Sequence, residues 1–499
     1  MKEFLSACIT RIGFAAVFLL LPGCAPKQSP PDPADSVLRV TSTIQLPDLH
    51  RPWLKKQTFS RIGLGTVIEK GRILVTADMV AHATYIGLER AQDGPKSTAI
   101  VESIDEECNL AVLRPLDQKI MERTRPLSLD LTVKTGSRLG ILQLEANGAP
   151  AISPAVVTTV AVMPYPADDS AYLLYRVSTT IPDREGSFVI PALHDGLLAG
   201  LVMRYDSRTQ AADIIPAPLI ARFLTESAKP GYVGLARAGL LWEEVRGSNL
   251  REWLGVPHDQ TGVYVTSVLP GEPAEKGGLR KGDFLMKVAG KQLDGEGNYL
   301  DPVHGKITFT NLASLACAPG DPLEITYFRS SGEGTGTVGT TTLTLGGRNP
   351  DSETSPSRLS GNSAPYTLLG PLLFLELSRP FLREWGNNWR TEAPLNLVYL
   401  DAFQNEFPRD RKHWVILSAA LPTTDTMGMH DLAGKVVQSI NGYPIRDMSD
   451  IAEAAKHPEN GFQKIILSGS GGPIWLDAST LASQEEQARD RYGIPPAAH

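Results

Sequence analysis

Cysteine is scarce in this chain, with four in 499 residues. Cys8 and Cys24 fall in the first segment, and Cys108 and Cys317 stand far apart. No CxxC pair or even framework of bridges is left, so a disulfide-stapled scaffold and a structural zinc site lose their sequence support. The nine histidines are scattered and no HExxH occurs, so neither a metal nor a cofactor is expected. No apolar run approaches the roughly 20 residues of a membrane-spanning helix. Basic residues are in deficit: 48 Lys and Arg against 55 Asp and Glu, a net charge of -7. No basic stretch is interleaved with aromatics, which argues against nucleic acid as a partner.

What is present begins with a three-part leader. Lys2 and Arg11 precede the apolar run 12–21, which ends in Leu21-Pro22-Gly23-Cys24, the layout of an export signal. The ending resembles the lipobox of bacterial lipoproteins, although Pro22 is unusual there. That resemblance implies removal of residues 1–24, acylation of Cys24 and anchoring in a membrane through lipid. Ala25 in place of Asp implies the outer membrane of a bacterial envelope, on its periplasmic face. An ordinary cleaved signal with an incidental Cys is the alternative, and either way the protein is exported. Residues 25–40 open with a Pro-rich polar stretch that reads as a tether.

Beyond the tether, 45 Gly and 38 Pro punctuate short apolar runs, the signature of a mainly β, loop-rich protein. In residues 41–228 these runs include Thr66-Val67-Ile68, Ile73-Leu74-Val75 and Leu110 to Leu113. Two later stretches, 229–347 and 366–479, repeat one order of features: an early Gly, an apolar strand, a short helical pattern and a strand ending in a Gly turn. They read as one module used twice. The polar stretch 348–365 has no apolar period and reads as a linker. Residues 480–499 read as a helical tail stopped by Gly493 and Pro495.

Leu64 to Ile68, Ile73 to Val80 and Asn109 to Arg114 together resemble the trypsin-like domain of the HtrA/Deg serine proteases. The resemblance implies a double β-barrel followed by two PDZ domains. The family writes its triad His in T-x-x-H-V and its Asp in D-L-A-V-L, which place Met79 and Asn109 at those positions. Its nucleophile falls on Ser187, in Glu185-Gly186-Ser187-Phe188-Val189, where the family has glycines around the Ser. A thioether cannot accept the hydroxyl proton, so Ser187 is expected to remain an ordinary alcohol. Glu185 falls where the oxyanion loop of the family needs an unusual backbone. His82, one helical turn after Met79, and Asp105 are candidates for replacing the lost groups, but a turn shifts a side chain about 5 Å. That exceeds the reach of general-base transfer.

Gly262 to Ala274, with Gly278-Leu279-Arg280-Lys281-Gly282-Asp283, is close to the first PDZ domain of that family. By resemblance, Tyr232-Val233-Gly234-Leu235 forms the loop that holds a peptide's terminal carboxylate. The alternative is a groove packed shut by its neighbour. The second module resembles the divergent PDZ of plant-type Deg proteases. Its corresponding loop carries Pro371, which lacks an N–H, so packing or assembly is expected there. The reading is an envelope-anchored, non-catalytic scaffold, chaperone or regulator for peptide C-termini or unfolded proteins, with a homo-trimer or larger oligomer implied by resemblance. The competing reading is an active periplasmic quality-control endopeptidase with a rearranged triad around Ser187.

Overall fold

The structure is a computed structural model that describes residues 32–90, 94–165, 170–332, 334–349, 352–359, 364–407, 410–423 and 426–495. Cys24 and the leader lie outside the described residues, as does the tether up to residue 31. From Pro33 onward the chain forms one compact unit.

The first closed barrel contains β1 (Val37–Ile44), β2 (Phe59–Ile68), β3 (Arg72–Val75), β4 (Ala83–Glu89), β5 (Lys96–Asp105) and β6 (Leu110–Pro115). The short helix α1 (Ala77–Val80) follows β3. In β1, Val40, Ser42 and Ile44 are buried while Arg39, Thr41 and Thr43 are half-buried, the period-2 signature of a one-sided strand. The expected tether therefore ends early. Val37, Leu38 and Val40 already pair with β2 and are buried in the core.

The second closed barrel contains β7 (Arg138–Leu144), β8 (Pro150–Pro164), β9 (Ala171–Thr179), β10 (Ile190–His194), β11 (Leu197–Asp206) and β12 (Ala211–Pro216). Helix α2 (Ala217–Glu226) starts directly after β12 with a Pro in its first turn, a position that needs no N–H. Its buried Leu219, Ile220 and Phe223 form one stripe in the core that the barrel shares with the domain that follows.

The first repeat is a sheet of order β13 (Leu240–Glu244), β14 (Val263–Val268), β15 (Phe284–Val288), β19 (Pro322–Gly332), β20 (Thr335–Thr344), with β16 (Lys291–Gln292) paired to β15. The hairpin β17 (Asn298–Asp301) and β18 (Gly305–Thr308) stands apart from it. Helices α3 (Ser248–Leu254) and α4 (Pro273–Lys276) and the helical turn Leu312–Ala316 complete the module. One apolar core runs through both barrels into this module.

The second repeat orders β21 (Tyr366–Leu369), β22 (Leu372–Glu376), β23 (Val415–Ala420), β24 (Lys435–Ile440), β26 (Phe462–Leu467) and β27 (Ile474–Asp477), with β25 (Tyr443–Pro444) on β24. Between β22 and β23 lie α5 (Arg379–Leu382), α6 (Trp389–Glu392) and α7 (Leu395–Ala402), and α8 (Ser449–Ala454) follows β25. The tail helix α9 (Leu481–Tyr492) ends at Gly493 in the left-handed region. Ala488 and Ile494 then pack on Leu368 and Leu373.

The polar stretch 348–365 is not an open spacer. Ser355 and Ser357 are buried, Ser355 Oγ donates to Asp401 at 3.0 Å, and Arg348 pairs with Glu353 at 3.0 Å. Among its described residues, polar groups without apolar periodicity pack here because most of the buried ones named above meet a partner.

Candidate functional site

The junction of the two barrels collects the three triad positions. Met79 of α1 is fully buried, and a Cβ on Gly63 of β2 would lie 3.5 Å from its sulfur and 2.8 Å from the nitrogen of Val189. Asn109 stands in the β5–β6 turn at φ 53°, and its Oδ1 accepts the Asp78 N–H at 2.9 Å. An Asn tolerates this left-handed backbone and supplies the acceptor that the start of α1 needs.

Ser187 is engaged by an amide instead of a base. Buried Gln143 donates Nε2 to Ser187 Oγ at 2.7 Å and to the Pro182 carbonyl at 3.0 Å, while its Oε1 accepts from Arg184 at 2.9 Å. A carboxamide that is donating cannot take up the hydroxyl proton. The positive φ expected near Glu185 falls on Gly186, at 83°, and Glu185 is exposed.

Arg61 of β2 occupies the mouth of the junction. Its guanidinium lies 4.6 Å from the Phe188 ring centroid and 5.4 Å from that of Phe59, and it donates to the Asp78 carbonyl. Burial lowers its pKa, with Asp78 opposing the shift. Ser187 lines a recess of about 370 Å³ with Phe188 and Ile190, whereas His82 lines a separate one of about 200 Å³ with Arg61 and Asn109. Asp105 is also turned elsewhere. Its Oδ2 accepts from the Tyr232 hydroxyl at 2.5 Å and its Oδ1 from the Glu107 N–H at 2.8 Å. Asn109→Ala should cost roughly 1–3 kcal/mol by removing the cap and a residue suited to positive φ. A fall in the urea midpoint measures this, and Asn109→Asp, which keeps the acceptor, should lose less.

The expected peptide loop stands beside the first barrel. Tyr232, Val233, Gly234 and Leu235 lie against the β5–β6 turn and the stretch after β20. Val233 O accepts from Arg348 N at 2.7 Å, and Leu235 is 1% exposed. Tyr232, Val233 and Gly234 line a recess of about 290 Å³ with Asp105, Glu107 and Arg348, and the extended run that follows them, Ala236 to Gly239, carries the chain to the sheet edge. Gly239 takes φ 72°, and a Cβ there would sit 2.2 Å from Cβ of buried Glu272. Among the described residues, the N–H groups of Ala238 and Gly239 have no hydrogen-bond partner.

Strand β13 is the edge of its sheet. Leu269 N donates to Gly239 O at 2.9 Å, so by antiparallel alternation the main-chain groups of Leu240, opposite Val268, point to the open edge. That edge borders a cavity of about 610 Å³ whose apolar wall includes Leu240, Leu269, Phe309, Ala313, Leu323 and Ile325. The sequence signal that marks it is Ala238-Gly239-Leu240, a second Gly-before-apolar step five residues after Val233-Gly234-Leu235. In the second repeat the equivalent edge is taken by the chain itself, since β21 pairs with β22 through the turn at Gly370 and Pro371.

A polar cluster joins these two regions. Buried Glu107 receives the Tyr172 hydroxyl at 3.2 Å and pairs with Arg358 at 3.1 Å and Arg348 at 3.5 Å. Burial, then the charge of Asp105, raises its pKa against the opposing arginines. A carboxyl with a raised folded pKa contributes stability below its unfolded pKa that is lost as pH rises through the folded one. Glu107→Gln should therefore flatten the fall in melting temperature as pH rises from about 4.5, and thermal melts across that range test the sign. Among the described residues, no group of three or more His, Cys, Asp or Glu is placed to hold a metal, and no helix is long and apolar enough to cross a membrane.

Two six-stranded barrels meeting over a Ser, followed by two modules built on peptide-groove sheets, define a trypsin-type double barrel carrying PDZ domains. Residues 228–295 and 356–498 each match a PDZ domain family. Protease Do-like 2, chloroplastic, of Arabidopsis thaliana is 27% identical over 426 residues, covering 84% of this chain and 67% of that protein. Putative protease Do-like 3, mitochondrial, of the same plant is 24% identical, covering 70% of this chain and 61% of that one. Among solved structures, the HtrA-type protease AlgW with decapeptide aligns over 64% of this chain and 97% of its own, at 18% identity and TM-score 0.46. The chain is a homologue of the Do-like (HtrA/Deg) serine proteases with PDZ domains.

Proposed function

We propose that this chain is a non-catalytic Do-like protein of the bacterial envelope that binds the C-termini of peptides or unfolded proteins through its first PDZ domain. The observation that carries the reading is the open edge of β13, with the unpartnered Ala238 and Gly239 N–H groups beside an apolar cavity. A terminal carboxylate would accept from that loop while the last residues add a strand to β13. The loss of catalysis is supported by Met79 and Asn109 at the triad positions, by the Gln143 amide on Ser187 and by Arg61 in the cleft. The leader and Cys24 support export and lipid anchoring, and the family supports a homo-oligomer.

The test is fluorescence anisotropy of the full chain, purified in detergent, with a labelled peptide ending in a free apolar residue and with its C-terminal amide. Binding of the acid alone is expected. Equal binding of acid and amide, or none of either, defeats the reading. Val233→Glu should leave binding unchanged, since that 51% exposed side chain lies off the groove. Incorporation of a labelled fatty acid, lost in Cys24→Ala, tests the anchor.

A further inference from the structure

The groove beside β13 has a second wall, and the second PDZ domain supplies it. The 610 Å³ cavity is lined by Leu240, Leu241 and Ala313 of the first PDZ domain and by Val398 and Ala402 of α7, two residues one helical turn apart on the same face. Side chains tie α7 to the loop that would hold a carboxylate. Asp401 of α7 accepts from Ser355 Oγ at 3.0 Å, and Ser352 of the same connecting stretch donates to Glu272 Oε1 at 3.2 Å. Glu272 is the buried residue against which Gly239 packs. From the first barrel, Leu49 of the β1–β2 loop shares a core with Phe381, Leu382 and Trp389, and Lys56 pairs with Glu384 at 2.7 Å. A wall fixed both to the connecting stretch and to the barrel does not swing aside cheaply, since packed interiors deform little.

We infer that the peptide site is a slot between the two PDZ domains, which takes C-termini unstructured over their last several residues and excludes the short tails of folded proteins. This rests on the C-terminal reading proposed above and adds a condition on the partner's conformation. A peptide that adds to β13 lies extended along the edge, with α7 beside it. Helix α7 has 8 residues, a length of about 12 Å, which is the span of about four extended residues. A folded body carried closer than that to the terminus meets α7 before the carboxylate reaches the Ala238 and Gly239 N–H groups. A disordered terminus meets no such obstacle and bears only the cost of becoming ordered. The second domain is thus a repulsive element of selectivity, which the first domain lacks within its own sequence.

The experiment displaces the labelled peptide from the full chain with a folded carrier protein ending in the same sequence. The carrier's unstructured tail is about three or about eight residues, roughly 10 or 26 Å of extended chain, and each tail is compared with the free peptide of its own length. The long tail should compete as well as its free peptide, and the short tail at least about tenfold less well than its own. Ala402→Trp, at an exposed position of the second domain that lines the cavity, should weaken the long free peptide by at least about tenfold, because the indole fills the slot. Leu395→Trp, on the same helix at a 72% exposed position outside the cavity lining, should leave it unchanged. If the short free peptide proves too weak to measure, or Ala402→Trp fails to fold, the other arm decides. Equal competition by the short tail and its free peptide, or wild-type affinity in Ala402→Trp, overturns the slot while C-terminal binding stands. If the long free peptide does not bind wild type, both readings fall together.

Discussion

Restoring the two missing triad residues is expected to leave the chain unable to cut. In Met79→His, Asn109→Asp, casein cleavage and fluorophosphonate labelling of Ser187 should not exceed those of Ser187→Ala. The rate should stay at least about four orders of magnitude below that of a working triad. Met79 is fully buried within the apolar core, so an imidazole there would lose hydration and require a partner for each ring nitrogen. The Ser187 hydroxyl would still accept from Gln143 at 2.7 Å, and Arg61 would still stack on Phe188 at 4.6 Å across the mouth. General-base transfer needs the imidazole within about 2.6–3.2 Å of the hydroxyl, and nothing in the double variant removes the groups already packed around it. Strong labelling of Ser187 in the double variant, or in the wild type, would show that the cleft can still be activated. A base would then have to be sought beyond His82 and Asp105.

Gly239→Val should abolish carboxylate-dependent peptide binding. A Cβ at this position would fall 2.2 Å from Glu272 Cβ and 2.8 Å from its Cγ, and the backbone holds φ 72°, which a β-branched residue resists. Glu272 cannot retreat cheaply. It is 1% exposed and paired with Arg237 at 2.7 Å, and breaking a buried pair leaves an uncompensated charge. The loop must therefore open, and with it the Ala238 and Gly239 N–H groups leave the position from which they meet a carboxylate. A loss of at least about 100-fold, some 2.7 kcal/mol, should appear in anisotropy titrations against the free acid. Near wild-type affinity in Gly239→Val would place the carboxylate loop elsewhere, and binding sensitive to Val233→Glu would return it to the Tyr232 segment.

Much of the architecture was legible in the sequence. The apolar runs punctuated by Gly and Asp mark a mainly β domain, the family resemblance supplied its double barrel, and the repeated order of features marks one module used twice. Short motifs singled out Met79, Asn109 and Ser187, and in the structure Asn109 holds the Asp78 N–H beside Met79 while Ser187 meets Gln143. Two similar steps, Val233-Gly234-Leu235 and Ala238-Gly239-Leu240, could not be told apart in the sequence, and they differ in which lies next to the sheet edge. The stretch 348–365 read as a spacer because periodicity detects apolar burial, and this segment is buried through ion pairs and hydroxyls.

By itself, then, the sequence determined that a thioether stands at position 79 and an amide at position 109, properties of residue identity that no fold converts into a base or a carboxylate. Only the tertiary structure decided what packs around Ser187 and which backbone N–H groups are left open beside the sheet edge. Arg61 reaches Phe188 from 127 residues away, Gln143 reaches Ser187 from 44, and Arg390 of one PDZ domain borders the groove of the other. Such contacts arise from packing distant strands together, and local pattern carries no record of them.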